Sequence, residues 1–463
     1  MNRKPRAGLL PLYLKLYDDC LPDTRKGFEE FIPKIEQALA SNGVDVVSAG
    51  ICCIAAEFDH AVQNLEREDV DIIVTLHLAY SASLESIGAL TRTKLPIVIL
   101  DTTMDFDFGL EVAPDRIMYN HGIHGVMDMA SMLERRGKPF EIVAGHITES
   151  NVAQRAADIV KAAYAARRLS QTRALRIGES FKGMGDFAVD EVVLRDVLGI
   201  EVTQVAPADL AQWVEKVSQD EVDQELAADR ERFDCRAPDD VHRRSARLGL
   251  GLRRMLEDGG YDAFSMNFLA FDKPDGPVNT VPFLEISKAM SRGIGYGGEG
   301  DVLTASLVGA LARAFGDTTF TEIFCPDWKG GSIFLSHMGE INPDVAAEKP
   351  RVVEKSFAFT PARNPAAITC APRPGPAVFV NLTPGPDDTF SLIVAPVEVL
   401  ADSTNEDMKD IVRGWIRPDG TVEEFLELYS LCGGTHHSAL VLGDKAEAIV
   451  AFAGFAGLEC NII

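Results

Sequence analysis

The sequence predicts an α/β protein in which two domains built on parallel sheets precede a third, mainly β domain. Three observations carry that prediction. Apolar runs of strand length alternate with amphipathic helical stretches over residues 1–168, a second such series follows over 169–316, and from 317 to 463 Pro and Gly punctuate short strand-like runs. A chain of 463 residues is too long for one ordinary domain and suits two or three.

Taken in order, "LLPLYLKLYDD" near the N-terminus has the look of a signal peptide, but Lys15 breaks its apolar run, Asp18-Asp19 close it and no small-residue cleavage site follows. It reads as a first buried strand. "FEEFIPKIEQALASNG" sets Phe28, Phe31, Ile32, Ile35 and Leu39 on one helical face and stops at Gly43. "DIIVTLH" (71–77), "LPIVILD" (95–101) and "FEIVAGH" (140–146) are nearly continuous apolar runs, as expected of strands covered on both faces. They end in His77, Asp101 and His146. Open parallel sheets bind ligands beyond the carboxyl ends of their strands, so these residues are candidate site walls as well as ordinary strand terminators. A helical stretch (151–169) leads to "RALRIG", "IEVTQV" (200–205) and "YDAFSMNF" (261–268), read as strands of the second series. "GSIFLSHMGEI", "PAVFVNL" and "FSLIVAPVEVL" are the strand-like runs of the third region.

Composition narrows the function classes. A net charge of −25 argues against a nucleic-acid or anionic-membrane partner, both of which need a positive footprint. No stretch approaches a membrane span. Eight cysteines without C-x-x-C spacing fit reduced thiols, and so a cytoplasmic setting.

Candidate chemistry lies in the last third. Gly293, Gly295 and Gly298 satisfy G-x-G-x-x-G, yet "EISKAMSR" ahead of them is no strand, so a dinucleotide site lacks its context. The glycines instead lead into a helix with Asp301 as N-cap, Leu303, Leu307 and Leu311 as its apolar stripe and Gly316 at its end. Glu299 then stands just ahead of a helix N-terminus, either as a solvated turn residue or as a carboxylate able to hold a cation or take a proton. Glu322 and His337 flank a hairpin-like turn at Lys329-Gly330-Gly331, which can bring both to one sheet face. His337 reads equally as a hydrogen-bonded core histidine. In "GGTHHSAL", an extended backbone turns His436 and His437 to opposite faces, so the doublet offers one ligand and leaves the other ring to pack, cap or face solvent. Two Glu and two His suit a divalent ion such as Mn²⁺, with two octahedral positions left for substrate oxygens. Spacing alone does not bring the four together.

At these residues the chain resembles the L-arabinose isomerase family, within the wider L-fucose/L-arabinose isomerase group. The resemblance runs in order through "TLHLAYSASLESIGALTRTKLPIVILDTTMDFD", "IHGVMDMASMLERRGKPFEIVAGH", "GYGGEGD", "TFTEI", "SHMGEINP" and "GGTHHS". It implies two Rossmann-like or flavodoxin-like domains followed by a barrel-like one. It implies that Glu299, Glu322, His337 and His437 hold Mn²⁺, and that the two glutamates are the acid–base pair of an aldose–ketose isomerisation needing no organic cofactor. It further implies a sugar substrate and a homo-oligomer, trimer or hexamer. His124 would reach a neighbouring subunit's site, and Tyr17 and Phe268 would line the substrate pocket.

Two departures bear on the sugar. Ile323 follows Glu322 where the family usually has an acidic residue and an aromatic run, and Leu14 stands where it has Gln. Both remove polar groups from expected pocket positions, and lost hydrogen bonds to hydroxyls change specificity by factors of ~10⁴ in favourable cases. A modified or 6-deoxy sugar, handled by an isomerase or epimerase, therefore stands beside L-arabinose. A non-catalytic sugar-binding or regulatory protein is the reading from another class; it would not need the four metal-type residues together.

Overall fold

The apolar run near the N-terminus forms strand β1 (Arg6–Leu12), buried along nearly all its length. The computed structural model, which describes residues 3–463, sets β1 beside β2 (Asp45–Ser48), β3 (Ile72–His77), β4 (Ile97–Asp101) and β5 (Glu141–Ala144). The sheet is wholly parallel, in the order β2-β1-β3-β4-β5. β3 is buried throughout, as its sequence demands. β5 departs from that expectation: it is an edge strand with one neighbour, and Ile142 on it is 43% exposed. The helix predicted over 28–43 is two helices, Thr24–Glu29 and Phe31–Ser41, with Phe28, Phe31, Ile35 and Leu39 buried and Ile32 only partly so. Phe58, Leu90, Met129 and Leu133, from three later helices, pack on the sheet residues Leu10, Ile73 and Ile99. This compact unit runs to Arg167 and includes Glu447–Gly457.

The second unit comprises Arg168–Ala446 and Leu458–Ile463. Its parallel sheet takes β6 (Arg173–Ile177) and β7 (Glu201–Val205); β8 (Asp234–Cys235) stays outside it, and β9 (Ala263–Met266) and β10 (Gly295–Gly297) complete the order β10-β9-β6-β7. β10 shows that part of the glycine-rich segment is strand, not only turn.

The remaining strands are antiparallel for the most part: β11 (Thr318–Asp327), β12 (Ser332–Ser336), β13 (Arg351–Glu354), β14 (Ala366–Thr369), β15 (Gly375–Pro384), β16 (Phe390–Val399), β17 (Gly414–Pro418), β18 (His437–Leu442) and β19 (Glu459–Ile462). Six close a barrel, β15-β18-β11-β12-β17-β16, because β15 pairs with both β18 and β16. β19 adds in parallel to β16. β13 and β14 join β8 in a separate small sheet.

Helix Val302–Phe315 joins these parts of the second unit. Asp301 caps it, its Oδ1 accepting from the Thr304 N–H at 2.8 Å, and Gly316 ends it. The helix is buried nearly all round and touches β9, β10, β11 and β18. Its closeness to β10 explains Gly295: a Cβ there would lie 1.9 Å from the Ala305 carbonyl oxygen. The glycine pattern serves backbone approach, not a nucleotide phosphate.

Candidate metal centre

Glu299 lies in the turn between β10 and the buried helix, with a positive φ of 60° that a non-glycine residue adopts only where its surroundings hold it. Its carbonyl accepts from the Phe181 N–H at 2.8 Å. The barrel supplies the facing residues. In the β11–β18 ladder Glu322 stands directly opposite His437, so both share a face, and Glu322 also pairs with Ser336, the last residue of β12. His337 follows at once.

One ligand atom from each of Glu299, His337 and His437 lies within 4.8 Å of the other two, and all three residues are buried. Glu299 Oε2 is 3.6 Å from His437 Nε2, and Glu322 Oε2 is 3.9 Å from His337 Nε2. Glu322 thus borders the triad without belonging to the tight set. The outward nitrogens are engaged: His337 Nδ1 meets Glu340 Oε2 at 2.7 Å and His437 Nδ1 meets Asp301 Oδ2 at 3.1 Å. Glu340 also accepts from the Gly339 N–H at 2.7 Å and the Tyr296 hydroxyl at 3.2 Å.

These residues fit a divalent cation. His437 Nε2 is buried with no hydrogen-bond partner, a costly arrangement unless something else fills the place. Gly298 keeps that place open, since a Cβ on it would lie 2.9 Å from His337 Nε2 and 3.0 Å from His437 Nε2. Imidazole and carboxylate together, with no thiolate, suit a borderline-to-hard ion. Phe320 packs edge-on against both rings, at 4.8 and 5.1 Å, and Phe187 stacks on His437 at 5.2 Å.

The electrostatics separate the two glutamates. Burial opposes ionisation of Glu299, but His436, His337 and His437 outweigh it and hold the carboxyl below its usual range. Glu322, where burial wins, is pushed above its own. For His337, burial disfavours the charged form, yet Glu340, with Glu322 and Glu299, more than offsets this and the ring is raised.

The doublet corrects one expectation. His437 opens β18, but His436 precedes the strand, so strand alternation does not govern it. The two rings lie 4.1 Å apart, tilted by 44°, rather than on opposite faces. Asp186 Oδ2 accepts from the His436 N–H at 3.0 Å and lies 2.6 Å from its Nδ1, while its Nε2 is 3.5 Å from Glu299 Oε2. His436, partly exposed and packed 5.5 Å from the Phe187 ring, leans on Glu299 rather than turning away from the centre.

A second correction concerns Ile323, expected at the pocket. It packs against the barrel core instead, because the residue after Glu322 on β11 faces the other way. Phe268 is buried in a short 3₁₀ turn and packs 5.7 Å from Phe181, the residue whose N–H donates to Glu299.

Tyr17 and His124 belong to the first unit. Tyr17 Oη lies 3.2 Å from His121 Nε2, and His124, exposed near the start of helix Ile123–Arg135, sets its ring 5.9 Å from that of His121. The same helix start packs on the end of β3: a Cβ at Gly122 would lie 2.3 Å from the His77 carbonyl oxygen. His77 is buried with neither ring nitrogen partnered, and His146 Nε2 is likewise buried and unpartnered. Asp101 is half-buried, and burial raises its carboxyl.

Sequence reasoning missed Glu340, Asp186, Phe187 and His121, and saw only the capping half of Asp301. Glu340 carried a usable signal, an acid three residues after His337 across a glycine. Asp186 carried none, being 250 residues from its partner.

Comparison with known proteins agrees along the chain. The pattern described as the L-arabinose isomerase central domain matches residues 173–315, and that of the L-arabinose isomerase C-terminal domain matches 317–459. L-arabinose isomerase of Geobacillus kaustophilus is 27% identical over 413 residues, covering 86% of this chain and 82% of that protein. That of Clostridium beijerinckii is 27% identical over 417 residues, with the same coverage of 86% and 82%. Among solved structures, a periplasmic solute-binding protein of Actinobacillus succinogenes 130z with bound D-allose is 14% identical, covers 67% of this chain and 90% of that one, and has a TM-score of only 0.18. The chain belongs to the L-arabinose isomerase family and, by that membership, is a sugar isomerase, an intramolecular oxidoreductase.

Proposed function

We propose that the protein is a Mn²⁺-dependent aldose–ketose isomerase in which Glu299, Glu322, His337 and His437 hold the ion. The observation that carries this is the convergence of Glu299, His337 and His437 within 4.8 Å around a buried Nε2 that lacks a partner. When bound, the ion supplies Lewis-acid polarisation of a sugar carbonyl and its neighbouring hydroxyl. Of the two glutamates, one takes the proton from C2 and a proton is returned at C1, through an ene-diol. Phe320 and Phe187 cover the imidazole rings and limit water around them. Phe268 lines the pocket. Tyr17 and His124 meet substrate in the site of a second copy, so the working enzyme is a homo-oligomer, trimer or hexamer, of cytoplasmic sugar metabolism. In functional terms the chain divides at 168/169 and 316/317 into three domains.

The substrate is L-arabinose or a modified or 6-deoxy relative. Ile323, turned into the barrel core, gives no reason to exclude L-arabinose, whereas Leu14 still stands in place of the family's Gln.

Three measurements test the proposal. Purified protein carries one manganese per chain, and Glu322→Gln loses it; protein that binds sugars without metal supports the sugar-binding reading instead. Product formed in deuterated water from a panel of pentoses and 6-deoxyhexoses carries solvent label, whereas conversion with no label at all points to a hydride shift. His124→Ala keeps its metal and loses most activity; unchanged turnover removes that residue from the site.

A further inference from the structure

We infer that Glu340 is the positioning residue that sets the affinity of the centre for its ion, with Asp301 as its counterpart on the second histidine. The inference rests on the metal reading above. A ligating imidazole offers one nitrogen to a metal and needs its other N–H fixed, since that bond sets both tautomer and ring orientation. Here both second nitrogens meet carboxylates that the protein has buried: Glu340 is 1% exposed and Asp301 0%.

The carboxylates are themselves fixed. Glu340 accepts from His337 Nδ1, the Gly339 N–H and the Tyr296 hydroxyl, so three donors from two separate segments hold it. Asp301 splits its oxygens, Oδ1 taking the Thr304 N–H that starts the buried helix and Oδ2 facing His437 Nδ1. Each imidazole therefore turns Nε2 towards Glu299 and the space beside Gly298. A carboxylate so buried is costly to desolvate and is not needed for packing alone. What it contributes is a fixed direction for Nε2 and a more basic ring. That matters most for Mn²⁺, at the weak end of the divalent affinity order, where a preformed site must supply what the ion does not.

The two differ as targets. Removing Asp301 also removes a helix cap, so Glu340 gives the cleaner test. Mn²⁺ binding to the full-length protein would be followed by the paramagnetic resonance of free ion, and Co²⁺ binding by its visible absorption. We expect Glu340→Gln to bind Mn²⁺ about 10- to 100-fold more weakly and to shift the Co²⁺ bands, in line with the loss of other outer partners of metal-bound histidine. Tyr296→Phe, which keeps the carboxylate and removes one of its donors, should lie between the two. It carries the test if Glu340→Gln does not fold. Mn²⁺ affinity within twofold of the parent in the folded variant, with unchanged Co²⁺ bands, overturns the inference while leaving the metal reading standing. A parent protein that takes up neither ion overturns both.

Discussion

The second unit buries two groups of charged side chains, and they are built on opposite principles. Around helices Gln219–Arg232, Asp239–Gly259 and Phe283–Ser291 the charges are matched within the chain. Lys288 pairs with Glu225 at 2.8 Å and with Asp229, and Asp229 meets His242 at 2.8 Å. Arg253 bridges Glu225 at 2.6 Å and Glu285 at 2.9 Å, and Arg292 also reaches Glu285. Glu225 is held down to about 2 because Lys288 and Arg253 overcome its burial. Around Glu299 the carboxylates face imidazoles rather than ammonium or guanidinium groups, and one imidazole nitrogen has no hydrogen-bond partner. The first group closes on itself and holds helices in place. The second leaves a buried imidazole nitrogen without a hydrogen bond, an arrangement that suits a binding centre rather than a structural one.

Breaking each group should therefore give a different kind of loss. The largest effect falls on chemistry: Glu322→Gln should lower kcat/KM for the sugar by about 10³- to 10⁴-fold while the unfolding curve of the metal-free protein barely moves. Steady-state kinetics with a urea titration checks both halves. Lys288→Met should do the reverse. Leaving Asp229 buried without its lysine, and Glu225 with Arg253 alone, costs about 3–5 kcal/mol of stability, read from the urea midpoint, with Mn²⁺ affinity unchanged in whatever remains folded.

How much of this was legible in the sequence follows from the same contrast. The alternation of apolar runs showed the parallel sheets, because burial on both faces imposes a pattern that strands such as β3 and β4 cannot avoid. Barrel closure was not readable: it depends on β15 pairing with both β16 and β18, a matter of register between segments rather than of composition. At the site, Glu322 and His337 were visible because one hairpin joins them, whereas the pairing of Glu322 with His437 links residues more than a hundred positions apart. The matched charge group left no local signal either. Lys288 reads as an ordinary polar position in "EISKAMSR", and only its partners on another helix make it a buried cation.

Gly298→Ala refines the comparison by crowding the centre without replacing any of its side chains. The methyl group would stand about 3 Å from both Nε2 atoms, whose rings Glu340 and Asp301 keep from turning away. We expect Mn²⁺ affinity to fall at least about 100-fold, some 2.7 kcal/mol at 1.36 kcal/mol per decade, with Glu322 still in place. Titration of the variant with Mn²⁺ decides it; binding as tight as in the parent would mean that the space beside Gly298 is not where the ion sits.

The smallest effect belongs to charges of the matched kind that lie in water. On the outer side of helix Asp239–Gly259, Asp239 pairs with Arg243 at 2.8 Å and with Arg230 at 2.8 Å, and the side chains of all three are exposed to solvent. Those contacts resemble the pairs around Lys288 in geometry, and differ in that solvent replaces either partner as soon as it leaves. Asp239→Asn should leave the urea midpoint within error of the parent at physiological salt. A midpoint shift approaching that of Lys288→Met would show that the buried and exposed pairs form one cooperative network, and that burial is not what separates them.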